Sequence, residues 1–291
     1  MILAPAWCIA ASFTVLLCGS VAFAGTAFEG EVTLVTGSAS IHTADGAVCK
    51  ARVGDRVHPG DELQTGAGVA KAEVRFSDGI LARLGCDTTV LAMPDARELR
   101  MNEGMLLLQT PHRAKKLNIH AGDYSVAGSE GTVLLEWRPS VYKLLVLEGI
   151  SRLYRPKHFG DSMLVRSGQL VIGDPAEPVS DPVDFDIARF LQTSHFIRDF
   201  APLPSRDSIM QASEKQFRER SRKGLAGTNL VIFGGGSVVS LLAPAGSQAA
   251  LSTKLMPFVS AASANSGSDL GVVEELRQAP ASTASAGEGH K

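Results

Sequence analysis

The sequence predicts a mainly β protein: an all-β domain over residues 28 to 175, built as a β-solenoid or a sandwich, then short helices, a β-hairpin and a disordered tail. Three observations carry that expectation. Short apolar stretches recur at period two between Phe28 and Pro175. Turn residues punctuate them, with 18 of the 29 glycines falling in residues 25 to 175. No segment there holds the helical run of roughly a dozen residues that a βαβ crossover needs, which disfavours a parallel doubly wound sheet.

The chain opens on an uncharged stretch from Met1 to Ala24, with an apolar run from Ile9 to Leu17 and the small-x-small triplet Ala22-Phe23-Ala24. This reads as an export signal over residues 1 to 24, cut after Ala24. An uncleaved membrane anchor is the alternative, since no Lys or Arg precedes the run. The expected location is periplasmic or extracellular. Cys8 and Cys18 leave with the signal, so the exported chain keeps Cys49 and Cys86 of the 4 cysteines. These form one disulfide in an oxidising compartment or remain two separate thiols, and the sequence supplies no distance to decide between them.

The clearest strand pair follows. Ala70, Ala72, Val74 and Phe76 alternate with Lys71, Glu73 and Arg75, then Ser77-Asp78-Gly79 leads into Ile80 to Leu84. Asp78-Gly79 predicts a tight hairpin whose two central residues have positive φ. Further strands are expected at Glu31 to Val35, Met105 to Leu108, Thr132 to Trp137, Val141 to Leu147, Ile150 to Tyr154 and Leu170 to Ile172. An internal echo joins them: Glu103-Gly104 and Glu148-Gly149 each sit between two strand-like stretches. It reads as two turns of a solenoid or as two ordinary hairpins.

Pro175, Pro178 and Pro182 mark a linker. Residues 183 to 223 then read as helical. Val183, Ile187, Phe190 and Leu191 have helical spacing, and four of the 12 Phe lie in residues 185 to 200, so a short or broken helix is expected to dock its aromatic side on the β domain. Ser205 to Lys223 reads as a charged helix with Asp207 as its cap. Its Glu214, Lys215, Arg218, Glu219, Arg220, Arg222 and Lys223 give a local +3, which reads as a solvated helix or tether, with weak contact to an anionic membrane surface or a polyanion as the alternative. Asn229 to Phe233 and Val238 to Leu242, within residues 228 to 243, predict a hairpin. Residues 244 to 291 hold 10 Ala, 8 Ser and 5 Gly among 48, the composition of a largely disordered tail with transient order at Leu251 to Val259.

Chemistry is sparse. With 28 Lys plus Arg against 30 Asp plus Glu, the chain lacks the basic excess that would point to nucleic acid. Gly234-Gly235-Gly236-Ser237 lacks the Walker lysine and the dinucleotide fingerprint, and Gly128-Ser129-Glu130-Gly131 lacks the strand-to-helix setting of a nucleophile elbow. No two of the 7 histidines stand three to five apart on a plausible helix, so no local metal pair is visible. Asp55 and Asp61 are the only nominees for a hydrolase carboxylate pair, and their Gly-Asp settings read as turns instead. Trp137, Tyr124, Tyr142 and Tyr154 are too few for a sugar-stacking platform. The expectation is no enzyme, no cofactor and no metal.

The turn residues taken in order carry a likeness. Gly54-Asp55, Gly60-Asp61, Thr65-Gly66, Asp78-Gly79, Glu103-Gly104, Gly131-Thr132, Glu148-Gly149 and Gly168-Gln169 together resemble the FecR domain over about residues 30 to 173. The resemblance implies an extracytoplasmic, non-catalytic β module; in the regulators that name the family it relays a receptor signal to a sigma-factor system. Here the anti-sigma region and internal membrane span expected of those regulators are not seen. Gly128-Ser129-Glu130-Gly131-Thr132 stands where the family commonly has Val-Arg-Gly-Thr. The chain is therefore expected to act as a stand-alone exported binding or scaffold protein for an envelope protein or glycan. The alternatives are a self-associating structural protein of the envelope and, third, an enzyme acting on cell-wall polymer.

Overall fold

The computed structural model describes residues 28–94, 96–128, 130–234, 236–247 and 249–255. The expected signal at residues 1 to 24 and the tail from residue 256 onward lie outside them. The first strands are β1 (Gly30–Thr36), β2 (Ala39–His42), β3 (Val48–Lys50), β4 (Arg56–Val57), β5 (Glu62–Thr65) and β6 (Lys71–Phe76). Next come β7 (Leu81–Leu84), β8 (Thr89–Ala92), β9 (Glu98–Thr110), β10 (Asn118–Ala121), β11 (Tyr124–Ala127) and β12 (Gly131–Arg138). Then follow β13 (Val141–Tyr154), β14 (Ser162–Arg166), β15 (Gln169–Gly173) and β16 (Val183–Phe185). Three helices, α1 (Ile187–Thr193), α2 (His195–Arg198) and α3 (Arg206–Lys223), precede the hairpin β17 (Leu225–Gly234) and β18 (Ser237–Pro244).

The strands make two sheets. The first runs β4-β1-β6-β7-β9-β12-β13-β15-β16-β18-β17, antiparallel throughout. The second runs β3-β2-β5-β8-β9-β10-β11-β13-β14, antiparallel except for the parallel pair β9 and β10. Two strands belong to both. β9 pairs in the second sheet up to Glu103 and in the first from Gly104; β13 pairs in the first up to Gly149 and in the second from Ile150. Pairing therefore closes on itself through β9, β12, β13, β11 and β10, giving the sandwich a barrel-like seam.

Both Glu-Gly pairs of the internal echo are thus corners within one long strand, not solenoid turns and not hairpins. Each corner needs glycine. Gly104 has φ 109, and a Cβ there would lie 2.4 Å from the Thr88 Cα. Gly149 has φ 80, and a Cβ there would lie 2.3 Å from the Glu130 carbonyl oxygen. Positive φ and a backbone at sub-contact distance both select against any side chain.

The core between the sheets takes one face of each strand, among them Val32, Val74, Leu84, Leu106, Leu108, Val133, Leu135, Leu144, Val146 and Val171. The intervening residues Leu81, Met105, Leu107, Leu134, Leu145, Leu147, Leu170 and Ile172 form a second core on the outer face of the first sheet. That face is covered by β16, α1, α2, the α2–α3 connection, α3 and the β17–β18 hairpin through Phe185, Ile187, Phe190, Phe196, Leu203, Ile209, Val239 and Leu241. Fully burying each Phe contributes roughly 1.5–3 kcal/mol, enough in sum to fix a layer of short helices that would not hold alone. Val183 and Phe185 lie on β16 and not on the expected helix, because their backbone pairs with β15 and β18. The expected disorder from residue 244 does not start there either. β18 ends at Pro244, residues 249–255 are helical, and Leu255 is buried in the second core.

Candidate functional site

The turn residues that sequence singles out are occupied by the fold. Asp55 accepts the Arg52 amide at 2.7 Å, and Gly54 donates to the Val32 carbonyl at 2.8 Å. Asp61 is 3% exposed, with one carboxylate oxygen on the His58 amide at 2.8 Å and the other on the Ala44 amide at 3.1 Å. Gly60 beside it donates to the Ala92 carbonyl. A carboxylate held this way ties its own turn to the β2–β3 loop. Asp55 and Asp61 thus belong to separate turns, Asp55 bonded to an amide of its own turn and Asp61 to one of its own turn and one of the β2–β3 loop.

Thr65, buried on β5, gives its hydroxyl proton to the Gly85 carbonyl at 2.5 Å and accepts the Thr88 amide at 3.1 Å. Gly66 donates to the Ser38 carbonyl. The Asp78-Gly79 turn differs from the expected form. Phe76 and Ile80 close a three-residue loop in which Gly79 alone has positive φ, so the hairpin is a type I turn with a glycine bulge. Asp78 receives the Ile80 amide and pairs with Arg97. Glu103 is exposed at the β9 corner, within 3.6 Å of Arg138. Around the β13 corner, Gly131 faces Gly149, and the Thr132 hydroxyl donates to Glu148 at 3.0 Å and lies 2.7 Å from the Ser205 hydroxyl. Gly168 donates to the Val146 carbonyl, and the Gln169 side chain accepts the Arg166 amide, closing the β14–β15 turn.

Tyr124, Tyr142 and Trp137 are packed together, with Tyr124 4.5 Å from Tyr142 and 5.7 Å from Trp137. Tyr124 and Tyr142 are buried, and burial drives the Tyr124 hydroxyl well above its ordinary pKa. The disulfide alternative is not formed: Cys49 is an exposed free thiol on the edge strand β3, and Cys86 a half-buried free thiol in the β7–β8 connection. Burial raises the Cys86 thiol above its usual pKa, with Asp87 adding to it. Among the described residues no cluster of three His, Cys, Asp or Glu side chains could hold a metal. No helix among them is long and apolar enough to cross a membrane.

Charge is concentrated where the helical layer meets the first sheet, and Arg83 is central there. It projects from β7 on the outer face of the first sheet and is 1% exposed. Its Nε donates to Glu73 at 2.8 Å, its Nη1 to the Phe196 carbonyl at 2.6 Å, and its Nη2 to the Ala201 carbonyl. Phe200 stacks on the guanidinium at 4.7 Å. The other Glu73 oxygen accepts the Thr33 hydroxyl at 2.7 Å. A buried charge is tolerable only when its donors are consumed, and Arg83 consumes its donors by gripping the segment at residues 196–201. Asp199 in that segment pairs with Lys71 at 3.0 Å and His195 at 2.9 Å. The His195 hydrogen bond first, then Lys71, hold its carboxyl below the ordinary range.

Helix α3 is stitched to the same layer. Gln216 accepts the Ile187 amide at 3.1 Å and donates to the Phe185 carbonyl at 2.7 Å. Arg220 pairs at 2.9 Å with Asp186, whose other oxygen caps α1 through the Arg189 amide. The N-cap of α3 is Ser205; Asp207 lies in its first turn and not at the expected cap. Three of the five cations in its basic run are paired, Arg218 with Glu214, Lys223 with Glu219 and Arg220 with Asp186. Lys215 and Arg222 make no ion pair among the described residues, so the local +3 of the run from Glu214 to Lys223 shrinks to two free charges.

Between α1, α2 and α3 lies an apolar groove of about 350 Å³, whose walls include Leu191, Ile197, Phe200, Leu203, Ile209 and Met210. Arg198 and Arg206 line it, both exposed and with no side-chain hydrogen bond or ion pair among the described residues. Sequence reading missed Arg83, Glu73, Arg198 and Arg206. The available signal was that runs such as Met105 to Leu108 and Leu144 to Leu147 are apolar without alternation, as in strands buried on both faces; they imply a covering layer, and a charge facing it must be built in.

No protein-family model and no curated protein matches the chain. Among solved structures, two crystal structures of a proposed anti-sigma factor from Parabacteroides distasonis ATCC 8503 align with part of it. One, at 1.65 Å resolution, has 12% identity and a TM-score of 0.38; the other, at 2.50 Å, has 13% and 0.37. Each alignment covers 44% of this chain and 61% of that one, so the chain spans under two thirds of the length of the protein it matches.

Proposed function

We propose that this protein is a non-catalytic, exported binding module of the cell envelope, and that its ligand is a polypeptide segment carrying both apolar and acidic side chains. The observation that carries the reading is the groove between α1, α2 and α3, apolar within and lined by two arginines, Arg198 and Arg206, that have no side-chain partner among the described residues. An apolar trough with cationic edges complements a segment whose apolar residues enter it while its carboxylates meet the rim. The layer that forms the groove is fastened to the sheet by Arg83, so its walls are preorganised. The signal-like sequence at residues 1 to 24 and the FecR-like order of turn residues support the extracytoplasmic part of the reading. The two carboxylates nominated for catalysis support its non-catalytic part, since both Asp61 oxygens already serve backbone amides.

The test is chemical crosslinking of the full chain in its own cell envelope, comparing wild type with the double variant Arg198→Glu, Arg206→Glu. The expected result is a specific crosslinked protein that is lost in the variant. A crosslinked product unchanged by the charge reversal, or none at all, contradicts the proposal.

A second reading, self-association, is favoured by one observation. Among the described residues β17 pairs only with β18 and so ends the first sheet with an open edge that includes Val231, Ile232 and Phe233. Light scattering at high concentration tests it: a strict monomer removes the reading, and a dimer abolished by Val231→Lys supports it.

A further inference from the structure

The described structure ends at Leu255, but the chain continues for another 36 residues. We infer that the groove between α1, α2 and α3 is the docking site of this protein's own segment 269–276, which would cover it in the absence of another partner. This inference rests on the proposed groove function and names an occupant for it.

Three observations lead there. The first is charge. Residues 256–291 contain four acids, and three of them, Asp269, Glu274 and Glu275, lie in the stretch Asp269-Leu270-Gly271-Val272-Val273-Glu274-Glu275-Leu276. The groove presents two exposed arginines with no side-chain partner among the described residues. The second is apolar content. Leu270, Val272, Val273 and Leu276 make this the densest aliphatic stretch beyond residue 260, in a region otherwise rich in Ala, Ser and Gly. Such a segment gains little from standing free in water and several contacts from an aliphatic trough.

The third is reach. Leu255 is buried in the same apolar layer that holds Leu203 and Ile209 of the groove wall. From there to Asp269 is 14 residues, a tether that spans up to about 45 Å when extended, ample for crossing one face of a small domain. Tethering also raises the effective concentration of the segment to the order of millimolar, so even a weak complementary fit is populated. A partner carrying the same acidic and apolar pattern would then have to displace the segment, making the tail a built-in competitor.

The experiment places a photo-crosslinking benzoylphenylalanine at Val273 in the full chain and maps the products by mass spectrometry. A mixture of light and isotopically heavy protein separates crosslinks within one molecule from crosslinks between two. Expected are crosslinks within one molecule to residues 191–210, reduced about fivefold by Arg198→Glu with Arg206→Glu, the scale of two exposed ion pairs lost. Both arginines are exposed, and an unchanged thermal melt verifies that the variant is folded. Crosslinks scattered over the surface, or confined to another face, overturn the inference, as do light-heavy products, which would make a second copy the occupant. Failure here with success of the envelope crosslinking would show a groove that binds only foreign segments; failure of both would remove the groove as a binding site.

Discussion

Arg83 is the residue on which the helical layer turns. It carries a full charge at 1% exposure and spends its donors on Glu73 and on the carbonyls of Phe196 and Ala201. Arg83→Met is expected to cost about 3–5 kcal/mol, because Glu73 is left as a buried unpaired charge. Adding Glu73→Leu should recover much of that loss, and urea unfolding of the two variants measures both. Asp61 gives a smaller effect of a different kind. Asp61→Ala strips acceptors from the Ala44 and His58 amides and should cost about 1.5–3 kcal/mol, with Asp61→Asn in between since it keeps one acceptor. The turn role of Asp61 was legible in the sequence because one carboxylate oxygen serves its own neighbour His58, whereas its bond to Ala44, 17 residues away, was not. Glu73 and Arg83 were not. In a period-two pattern they stand on the polar face of an edge-like hairpin, and only a layer more than a hundred residues away in sequence buries them.

At the scale of elements, the two corner strands and the α2 segment make separate predictions. Gly104→Ala meets both a positive φ and the Thr88 backbone, so it should destabilise by about 2–4 kcal/mol. Gly46, also at positive φ but with open space where a Cβ would stand, is the matched control and should lose only about 1 kcal/mol on the same change. Equal losses at the two sites would contradict the corner assignment. The α2 segment is sensitive to acid. The Asp199 carboxyl is held below its ordinary range in the folded protein, so its stabilising contribution is fully present above the ordinary value and is lost as the pH falls through the depressed one. Asp199→Asn should therefore melt below wild type near neutrality, and the difference should vanish on acidification below the usual carboxylate range near pH 4. A gap that persists in strong acid would show that charge at Asp199 does not hold the segment. The Glu-Gly echo was visible in the sequence, but its meaning was not, because a corner flanked by strand on both sides looks the same as a turn until the pairing partners are known.

The whole molecule is a seamed β sandwich with a third layer packed on one of its sheets. The strands of β6, β7, β9, β12, β13 and β15 were largely readable, since each carries a short apolar stretch bounded by turn residues, although most of them are buried on both faces and only the covering layer explains why. The short strands β2, β3, β4, β8 and β10 were not; with two to four residues each they owe their pairing to neighbours distant in the chain. The groove follows from the third layer and from nothing local, which is why Arg198 and Arg206 could not be picked out beforehand. The central claim is that this groove receives an acidic, apolar polypeptide. It is tested most directly by placing benzoylphenylalanine at Met210 in the groove wall of the full chain, irradiating in the native envelope, and sequencing the peptide that becomes joined. The expected product is a peptide combining carboxylates with aliphatic residues, its yield falling about fivefold in the Arg198→Glu, Arg206→Glu variant. A basic or purely polar peptide, or a yield indifferent to that charge reversal, would contradict it.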